Sequence, residues 1–493
     1  MKEYIHRRLM RTWSGPNVTA SRQSTQSSTP DDIVKNIKPS TSYWLSKNKY
    51  YHDQVAATYR FLIPPGQRVL HVNCDSGNLL EALEPAFGVG VSADQNSTKK
   101  TTANGFSELH TNSLSSLPSE TFDYIILSFV TEQTDDVQGL LEELHRFCTP
   151  RTRIFVDTYS YLWEPILWLT SKLGLRRPTQ FKHWISTADM ANFFHLTQYE
   201  PITTGSYMLL PFPIPGLAWI ANKLLAWLPL VNALCLHRWT LVRPNPALFK
   251  TSQKPKVSVI VTCRNERGNI QAVIDRMPAL GSSTEILFVE GGSSDGTREE
   301  IERLIALHPE RSMRLIVQDG VGKGDAVRKG FAHASGDILM IFDGDMTTTP
   351  EELPRFFDAL VSGKGDFING SRLVYGIQSD AMRPLHVFAN FFFGRLLSWI
   401  LGQRIKDSLC GTKVLWKKDY DLIAARRSFF GEDDPFGDFD LLFGAAKLHL
   451  KIVDMPVTYW PRTYGSPNIR HVWCGLVLLQ MSARALKKMK LRW

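Results

Sequence analysis

Cysteine is scarce and scattered in this chain. Its six cysteines, Cys74, Cys148, Cys235, Cys263, Cys410 and Cys474, form no C-x-x-C pair, and its thirteen histidines supply no H-E-x-x-H motif. A disulfide framework and a zinc site are therefore disfavoured, and a reducing cytoplasm fits. Long apolar runs are missing too. The most apolar stretch, "LLPFPIPGLAWIANKLLAWLPLVNALCL" at 209–236, is broken by four prolines, Asn222, Lys223 and Asn232. No run in it approaches the roughly 18–20 residues of a spanning helix, so it is expected to lie in plane, either as a hairpin packed on the protein or along a membrane interface. The opening "MKEYIHRRLMRTWSG" lacks the apolar core of a signal peptide, and secretion is not expected. Neither coiled-coil heptads nor an internal repeat is present. Acidic residues are the minority, 48 against 57 Lys and Arg, for a net charge of +9. That balance favours an anionic partner, whether nucleic acid, phospholipid surface or phosphorylated substrate, without choosing among them.

What is present suffices for two cores. A chain of 493 residues, 43% hydrophobic and 21% charged, suits two domains of about 200–250 residues each. The stretch 14–32, rich in Ser, Thr and Gln, has too few large apolar side chains to offset the entropy of ordering. The segment "RPNPALFKTSQKPK" at 243–256, with three prolines, reads as a junction. The expected organisation is a flexible tail over 1–40, a first domain over 41–245, a linker over 246–255 and a second domain over 256–493.

The second domain alternates strand and helix patterns: "KVSVIVTC", "GNIQAVIDRMPAL", "EILFVEGG", "SDGTREEIERLIALHP", "RLIVQDG", "GDAVRKGFAHA" and "DILMIFDGD". This predicts a mostly parallel sheet. Polar residues gather at the predicted carboxyl ends of the strands, where open α/β sheets bind ligands: Arg264, Asn265 and Glu266, then Glu290, Asp319, Asp343 and Asp345. In "ILMIFDGDMTTTP" (338–350) an apolar strand ends in two carboxylates. At i and i+2 of an extended segment, Asp343 and Asp345 point the same way and can converge on one hard cation, with Gly344 leaving room for a ligand.

Four motifs lie in order at successive strand ends: "VIVTCRNE" (259–266), "VEGGSSDGT" (289–297), "GKGDAV" (322–327) and "FDGD" (342–345). Together they resemble a family 2 glycosyltransferase with the nucleotide-sugar-binding glycosyltransferase A-type fold. Further on, "INGSRL", "AMRPLHVFANFFFGRLLSWILG", "IKDSLCGTKVLW", "FGDFDLLFGAAKLHLKIVDMPVTY" and "RTYGSPNI" are similar to dolichyl-phosphate mannose synthase and its bacterial polyprenyl-phosphate relatives. The resemblance implies metal-dependent, inverting transfer from a nucleotide-diphosphate sugar to a polyprenyl phosphate in cell-envelope glycan synthesis. It implies a donor site made by Asn265, Glu266, Glu290, Asp295, Lys323 and Asp343, with Glu266 and Glu290 on the nucleoside. It places Asp343, Asp345 and Thr347 around Mg²⁺ or Mn²⁺, and Arg372 and Arg383 on phosphate groups. The chain departs from the family where Thr262-Cys263-Arg264 precede Asn265, where Glu290-Gly291 replaces an Asp pair, and where Thr347 replaces a Gln; these bear on the nucleobase.

A phosphate oxygen is already anionic at neutral pH, so a lipid phosphate acceptor needs positioning and charge neutralisation rather than a strong base. A hydroxyl acceptor, the alternative, requires one, and Asp438 or Asp440 in "FGDFD" are the candidates, unless they merely begin a helix. Residues 385–401 read as a core helix or as an interfacial one, and the basic end "LLQMSARALKKMKLRW" suits an anionic bilayer or a solvated helix end. The expected location is cytoplasmic and peripheral to the inner face of the membrane, with lipid rather than nucleic acid as partner.

In the first domain, "RVLHVNCDSGNLLEAL" (68–83), "GVGVSADQN" (88–96), "FDYIILSFV" (122–130) and "LLEELHRFCTPRTRIFVDTYS" (140–160) resemble a class I S-adenosylmethionine-dependent methyltransferase. Two doubly wound α/β domains are thus expected, the first methyltransferase-like (Rossmann-like). Its cofactor loop departs from the family: His71, Asn73 and Asp75 stand where glycines and an acid are usual, only Gly77 remains, and Ser92 takes the place of the ribose-binding acid, with Asp94 two residues on. Asn73 and Asp75 tolerate positive φ, but the resemblance implies that this loop lies beside the methionine portion of the cofactor, where an Asp75 carboxylate about 4 Å from the ligand's carboxylate costs about 4 kcal/mol at an effective dielectric near 20. Weak cofactor binding and no methylation are expected, leaving a structural or docking module; a bifunctional enzyme with an active methyltransferase domain is the alternative.

Overall fold

The computed structural model describes residues 41–491 except 75–77, 92–106, 112–113, 178–182, 250–253, 376–383, 432–433 and 466–470. Two seven-stranded sheets account for the two halves of the chain. The first contains β1 (Arg68–Val72), β2 (Phe87–Val91), β3 (Ser107–Thr111), β4 (Tyr124–Ser128), β5 (Arg153–Tyr159), β6 (Tyr199–Tyr207) and β7 (His237–Pro244), in the order β3-β2-β1-β4-β5-β7-β6. Its strands are parallel except β7, antiparallel to both neighbours.

The second sheet contains β8 (Val257–Cys263), β9 (Thr284–Glu290), β10 (Ser312–Val317), β11 (Ile338–Asp343), β12 (Phe367–Ser371), β13 (Lys413–Trp416) and β14 (Ile452–Pro456). Their order is β10-β9-β8-β11-β13-β12-β14, with β13 reversed. Strand order turns back between β1 and β4 in one sheet and between β8 and β11 in the other, the two places where such sheets open a crevice.

Both sheets are covered on both faces, and the alternation of side chains shows it. Ile125, Val156 and Val242 enter one core, while their chain neighbours Ile126, Phe155 and Leu241 enter the other. In the second domain Ile260, Leu339 and Ile341 face one side and Val259, Val261, Met340 and Phe342 the opposite one. Buried on both sides, these strands read as continuous apolar runs rather than as alternating ones. Helices α1 (Lys49–Leu62) and α2 (Glu164–Lys172) belong to the first domain; α3 (Arg267–Arg276), α4 (Thr297–Leu307), α5 (Lys323–His333), α6 (Pro384–Leu401), α7 (Lys417–Ala425), α8 (Phe439–Lys447) and α9 (His471–Met489) belong to the second.

The stretch 209–236 connects antiparallel β6 and β7, and its ends are joined by the Leu236 N–H donating to the Met208 carbonyl at 2.8 Å. It is a chain of short helical turns, Leu217–Trp219, Ile220–Leu225 and Pro229–Asn232, which leave Trp219, Leu224, Leu230 and Leu234 exposed. No helix among the described residues is long and apolar enough to cross a membrane.

The domains meet through a charged seam that the junction sequence does not advertise. Asp366, just before β12, receives Arg153 at 2.7 Å and Arg243 at 2.6 Å, both guanidiniums buried. Arg243 also reaches Glu200 at 2.8 Å, and Glu200 takes Lys451 at 2.9 Å. Burial opposes the charge on Glu200, but Lys451 and Arg243 hold its carboxyl below the usual range. His449 donates from Nε2 to the carbonyl of Leu62, and Arg153 Nε to the carbonyl of His449.

Candidate active site

The ends of three neighbouring strands of the second domain, β9, β8 and β11, meet at one crevice, with Asp343 at the end of the last. Strand β11 stops at Asp343, its register partner being Thr262 on β8. Asp343 Oδ1 accepts the Lys323 ammonium at 2.5 Å and the Thr262 hydroxyl at 3.3 Å. Burial disfavours the ionised carboxyl, yet Lys323 holds its pKa below the usual range. Asp343, Asp438 and Asp345 in turn raise the pKa of Lys323 against its own desolvation, so Lys323 sits amid three carboxylates.

Asp345 is not in an extended i, i+2 pair with Asp343, as the sequence led us to expect. The strand has ended and the chain turns, with Met346 at φ 56°. Asp345 Oδ1 accepts the backbone N–H and the hydroxyl of Thr347 at 3.1 and 2.8 Å, closing the turn. Its Oδ2 takes Arg462 at 2.7 Å, and the other arm of that guanidinium reaches Glu266 at 2.6 Å. Arg462 thus ties the end of β8 to the end of β11 from a loop 117 positions further along the chain than Asp345. Glu266 is buried and also accepts from Asn269 at 2.7 Å; desolvation pushes its pKa up, partly offset by Arg462.

Gly411 supplies the clearance. A Cβ at 411 would overlap the Asp343 carboxylate and the Lys323 ammonium. Gly411→Ala is expected to split that pair and lower turnover by about a hundredfold, the usual penalty for a displacement near 1 Å. Unchanged steady-state kinetics of the variant would show that the approach is not needed.

The remaining predicted residues divide. Glu290, at the end of β9, accepts the Ser293 N–H at 2.5 Å and faces the same crevice floor. The carboxylate of Asp295 accepts from the N–H and hydroxyl of Thr297, the Arg267 N–H and the Tyr464 hydroxyl, which hold the start of α4. Asn265, at φ 56°, likewise spends its side-chain oxygen on the Ser294 N–H at 2.8 Å. Both shape the loop. Arg372 is committed to Asp407 through two guanidinium hydrogen bonds of 2.8 and 2.9 Å, with Asp407 fully buried; its positive charge still acts on Asp343. Asp438 is buried against Lys413 at 3.0 Å and close enough to Lys323 to feel it; burial raises its pKa. Asp440 faces Arg427 at 3.1 Å beside Tyr420 on α7. Arg383 lies outside the described residues.

The donors here are all oxygens, the set that suits a hard dication. Among the described residues no group of three or more His, Cys, Asp or Glu gathers as a metal cluster. Two carboxylates, each countered by a basic side chain, fit a metal that completes its shell with a diphosphate and water.

In the first domain a cavity of about 370 Å³ opens at the ends of β1 and β4, lined by His71, Asn73, Ser128 and Phe129 and by Tyr51 and Tyr159. Asn73 has φ 66°, the positive value expected of it. His71 Nε2 pairs with the Ser128 hydroxyl at 2.9 Å, and Asn73 donates to the Ser128 carbonyl at 2.7 Å. Asp75, Gly77, Ser92 and Asp94 lie outside the described residues.

Residues 258–421 match the model of glycosyl transferase family 2, and residues 47–204 match that of a methyltransferase domain. The chain therefore carries a methyltransferase domain followed by a family 2 glycosyltransferase domain. Among curated proteins it is similar to glycosyltransferase AglJ of Haloferax volcanii, 28% identical over 46% of this chain and 72% of that one. It is also similar to a dolichol-phosphate mannosyltransferase of Pyrococcus furiosus, 37% identical over 44% of this chain and 59% of that one. The chain thus spans little more than half the length of the second relative. Of solved structures, the mannosyltransferase PcManGT from Pyrobaculum calidifontis with GDP-Man and Mn²⁺ aligns over 49% of this chain and 68% of its own, at 18% identity and a TM-score of 0.34; that likeness carries no argument.

Proposed function

We propose that the second domain moves a sugar from a nucleotide-diphosphate sugar to a polyprenyl phosphate in glycan biosynthesis. The observation that carries this reading is the pairing of Asp343 with Lys323 and of Asp345 with Arg462 at one crevice. The same carboxylates can hold Mg²⁺ or Mn²⁺, and the same cations can turn to phosphate. The names of two relatives support the acceptor class: the dolichol-phosphate mannosyltransferase above and an undecaprenyl-phosphate 4-deoxy-4-formamido-L-arabinose transferase of Aeromonas hydrophila, 30% identical over 22% of this chain and 34% of that one.

In this reading Glu266 and Glu290 border the nucleoside, and Asp343 and Asp345 hold the metal, with Thr347 keeping Asp345 aimed. The metal supplies charge neutralisation for the departing diphosphate. Lys323 and Arg462 meet phosphate oxygens, and Arg372, fixed by Asp407, adds positive potential beside Asp343. The acceptor phosphate is already ionised, so attack with inversion needs no strong base. Asp438, next to Lys323, supports the second reading, a hydroxyl acceptor. Membrane association rests on exposed apolar side chains: Phe388, Phe391 and Phe392 on α6, Trp473 and Leu476 on α9, and Trp168 and Leu169 on α2. The test is a screen of nucleotide sugars with Mn²⁺, in which release of nucleoside diphosphate should rise only when polyprenyl phosphate is added. Release that rises equally with water-soluble alcohols would replace this reading with the second.

For the first domain we infer weak binding of S-adenosylmethionine and no methylation. His71 and Asn73 tie the end of β1 to Ser128 at the end of β4 with polar side chains, where the resembling family has an acid and a glycine. Calorimetry on the full chain is expected to show dissociation weaker than micromolar. Micromolar binding by the unaltered protein would overturn the inference.

A further inference from the structure

A second cavity, of about 390 Å³, lies between the two domains and shares no lining residue with the Asp343 crevice. Phe61, Trp227 and Trp239 come to it from the first domain, and Trp399, Lys447 and Lys490 from the second. Its lining includes Arg404 as well as these two lysines, and no Asp or Glu. Lys447, at the end of α8, donates to the Phe61 carbonyl and lies 3.5 Å above the centre of the Phe61 ring. Burial draws both ammonium groups down to about 8, for Lys447 with a further push from Arg426, and no carboxylate opposes the shift. An ammonium that sheds water without gaining a counter-ion is costly, and an arriving anion recovers that cost.

The rim of this cavity is apolar and continues outward. Trp227 lies against Trp399 with ring centres 5.2 Å apart. From Trp399 an exposed stripe runs back along α6 through Arg395, Phe392, Phe391 and Phe388, at the three- and four-residue spacing of one helix face. Met489, the last residue of α9, also lines the cavity. On the first domain the turns before Trp227 expose Trp219, Leu224 and Leu225. A cationic recess therefore sits where two apolar surfaces meet.

We propose that this interdomain cavity binds the headgroup phosphate of an anionic lipid, whose chains lie along those apolar faces. The recess provides charge-assisted donors for a phosphate, and the apolar faces provide cover for hydrocarbon that a free anion would not use. The site spans both domains, which gives the methyltransferase domain a part in holding the protein at a bilayer without any methyl transfer. The proposal rests on the reading that the protein works at a lipid surface. It does not depend on which sugar or acceptor the crevice takes.

The test uses the full chain and short-chain lipids below their micelle concentration, read by thermal unfolding and tryptophan fluorescence. Dihexanoyl phosphatidylglycerol should raise the melting temperature saturably, dihexanoyl phosphatidylcholine should not, and inorganic phosphate should act at least about tenfold more weakly. The double variant Lys447→Gln/Lys490→Gln should bind the anionic lipid at least about tenfold more weakly than the parent. Lys490→Gln alone, at the end of α9, should weaken it in the same direction and serves where the double variant does not fold. Equal response to the two lipids, equal potency of inorganic phosphate, or parent-like binding by the folded variants would each overturn the proposal. Lipid binding that persists in a protein showing no sugar transfer to polyprenyl phosphate would leave this site standing and discard the acceptor reading instead.

Discussion

Asp345→Ala is expected to lower sugar transfer by about a thousandfold or more while the protein stays folded. The magnitude follows from removing a carboxylate that places a metal against the departing diphosphate, a contribution of several kcal/mol, each 1.36 kcal/mol of which is about tenfold in rate. Folding should survive because Asp345 is a turn residue at the crevice rather than a core one. Arg462 keeps Glu266 as partner when Asp345 is gone. Calorimetric titration with Mn²⁺ in the presence of nucleoside diphosphate separates the causes: the variant should lose metal affinity as well as turnover. Near-parent turnover of the folded variant at saturating metal would remove Asp345 from the metal site.

The second large effect is expected at the seam between the domains. Asp366→Ala leaves the buried guanidiniums of Arg153 and Arg243 without their shared carboxylate. Removing one partner of a buried pair costs about 3–5 kcal/mol, because the charge left behind is neither hydrated nor paired. Arg243 retains Glu200, which places the expectation toward the lower end of that range. Urea unfolding followed by tryptophan fluorescence measures it. A loss below about 1 kcal/mol, the size expected of an exposed ion pair, would show that the seam is hydrated and the domains only loosely held.

The alternation from β8 to β11 was legible because each element carries its own local signal. "KVSVIVTC", "EILFVEGG" and "DILMIFDGD" are apolar runs bounded by polar turns, and they became β8, β9 and β11 within a residue or two. The reversal of β7 and β13 was not legible, since antiparallel insertion depends on where the chain returns and not on local periodicity. The crevice was partly legible. Asp343, Glu266 and Glu290 fall at strand ends by order alone. Arg462 and Gly411 were quoted only as parts of motifs, and their contacts with Asp345 and Asp343 come from chain crossings of 117 and 68 positions, which no spacing rule reaches. Asp295 and Asn265 are ambiguous for a different reason. A polar residue at a strand-to-helix turn can face a ligand or cap the turn, and both uses select the same residue types. Asp440 shows the same ambiguity at the start of α8, where neighbouring carboxylates two positions apart face different partners. The short helical turns within 209–236 were not legible, because prolines start such turns as readily as they break other elements.

The central claim is that Asp343, Asp345, Lys323 and Arg462 form the donor end of a sugar transfer to a lipid phosphate. It is tested most directly by incubating the protein with a nucleotide sugar, Mn²⁺ and a polyprenyl phosphate and weighing the product extracted into organic solvent. The account predicts a lipid phosphate heavier by one sugar residue, formed by the parent and absent with Asp343→Ala. A sugar recovered only in the aqueous phase, or a lipid product formed equally well by Asp343→Ala, would contradict it.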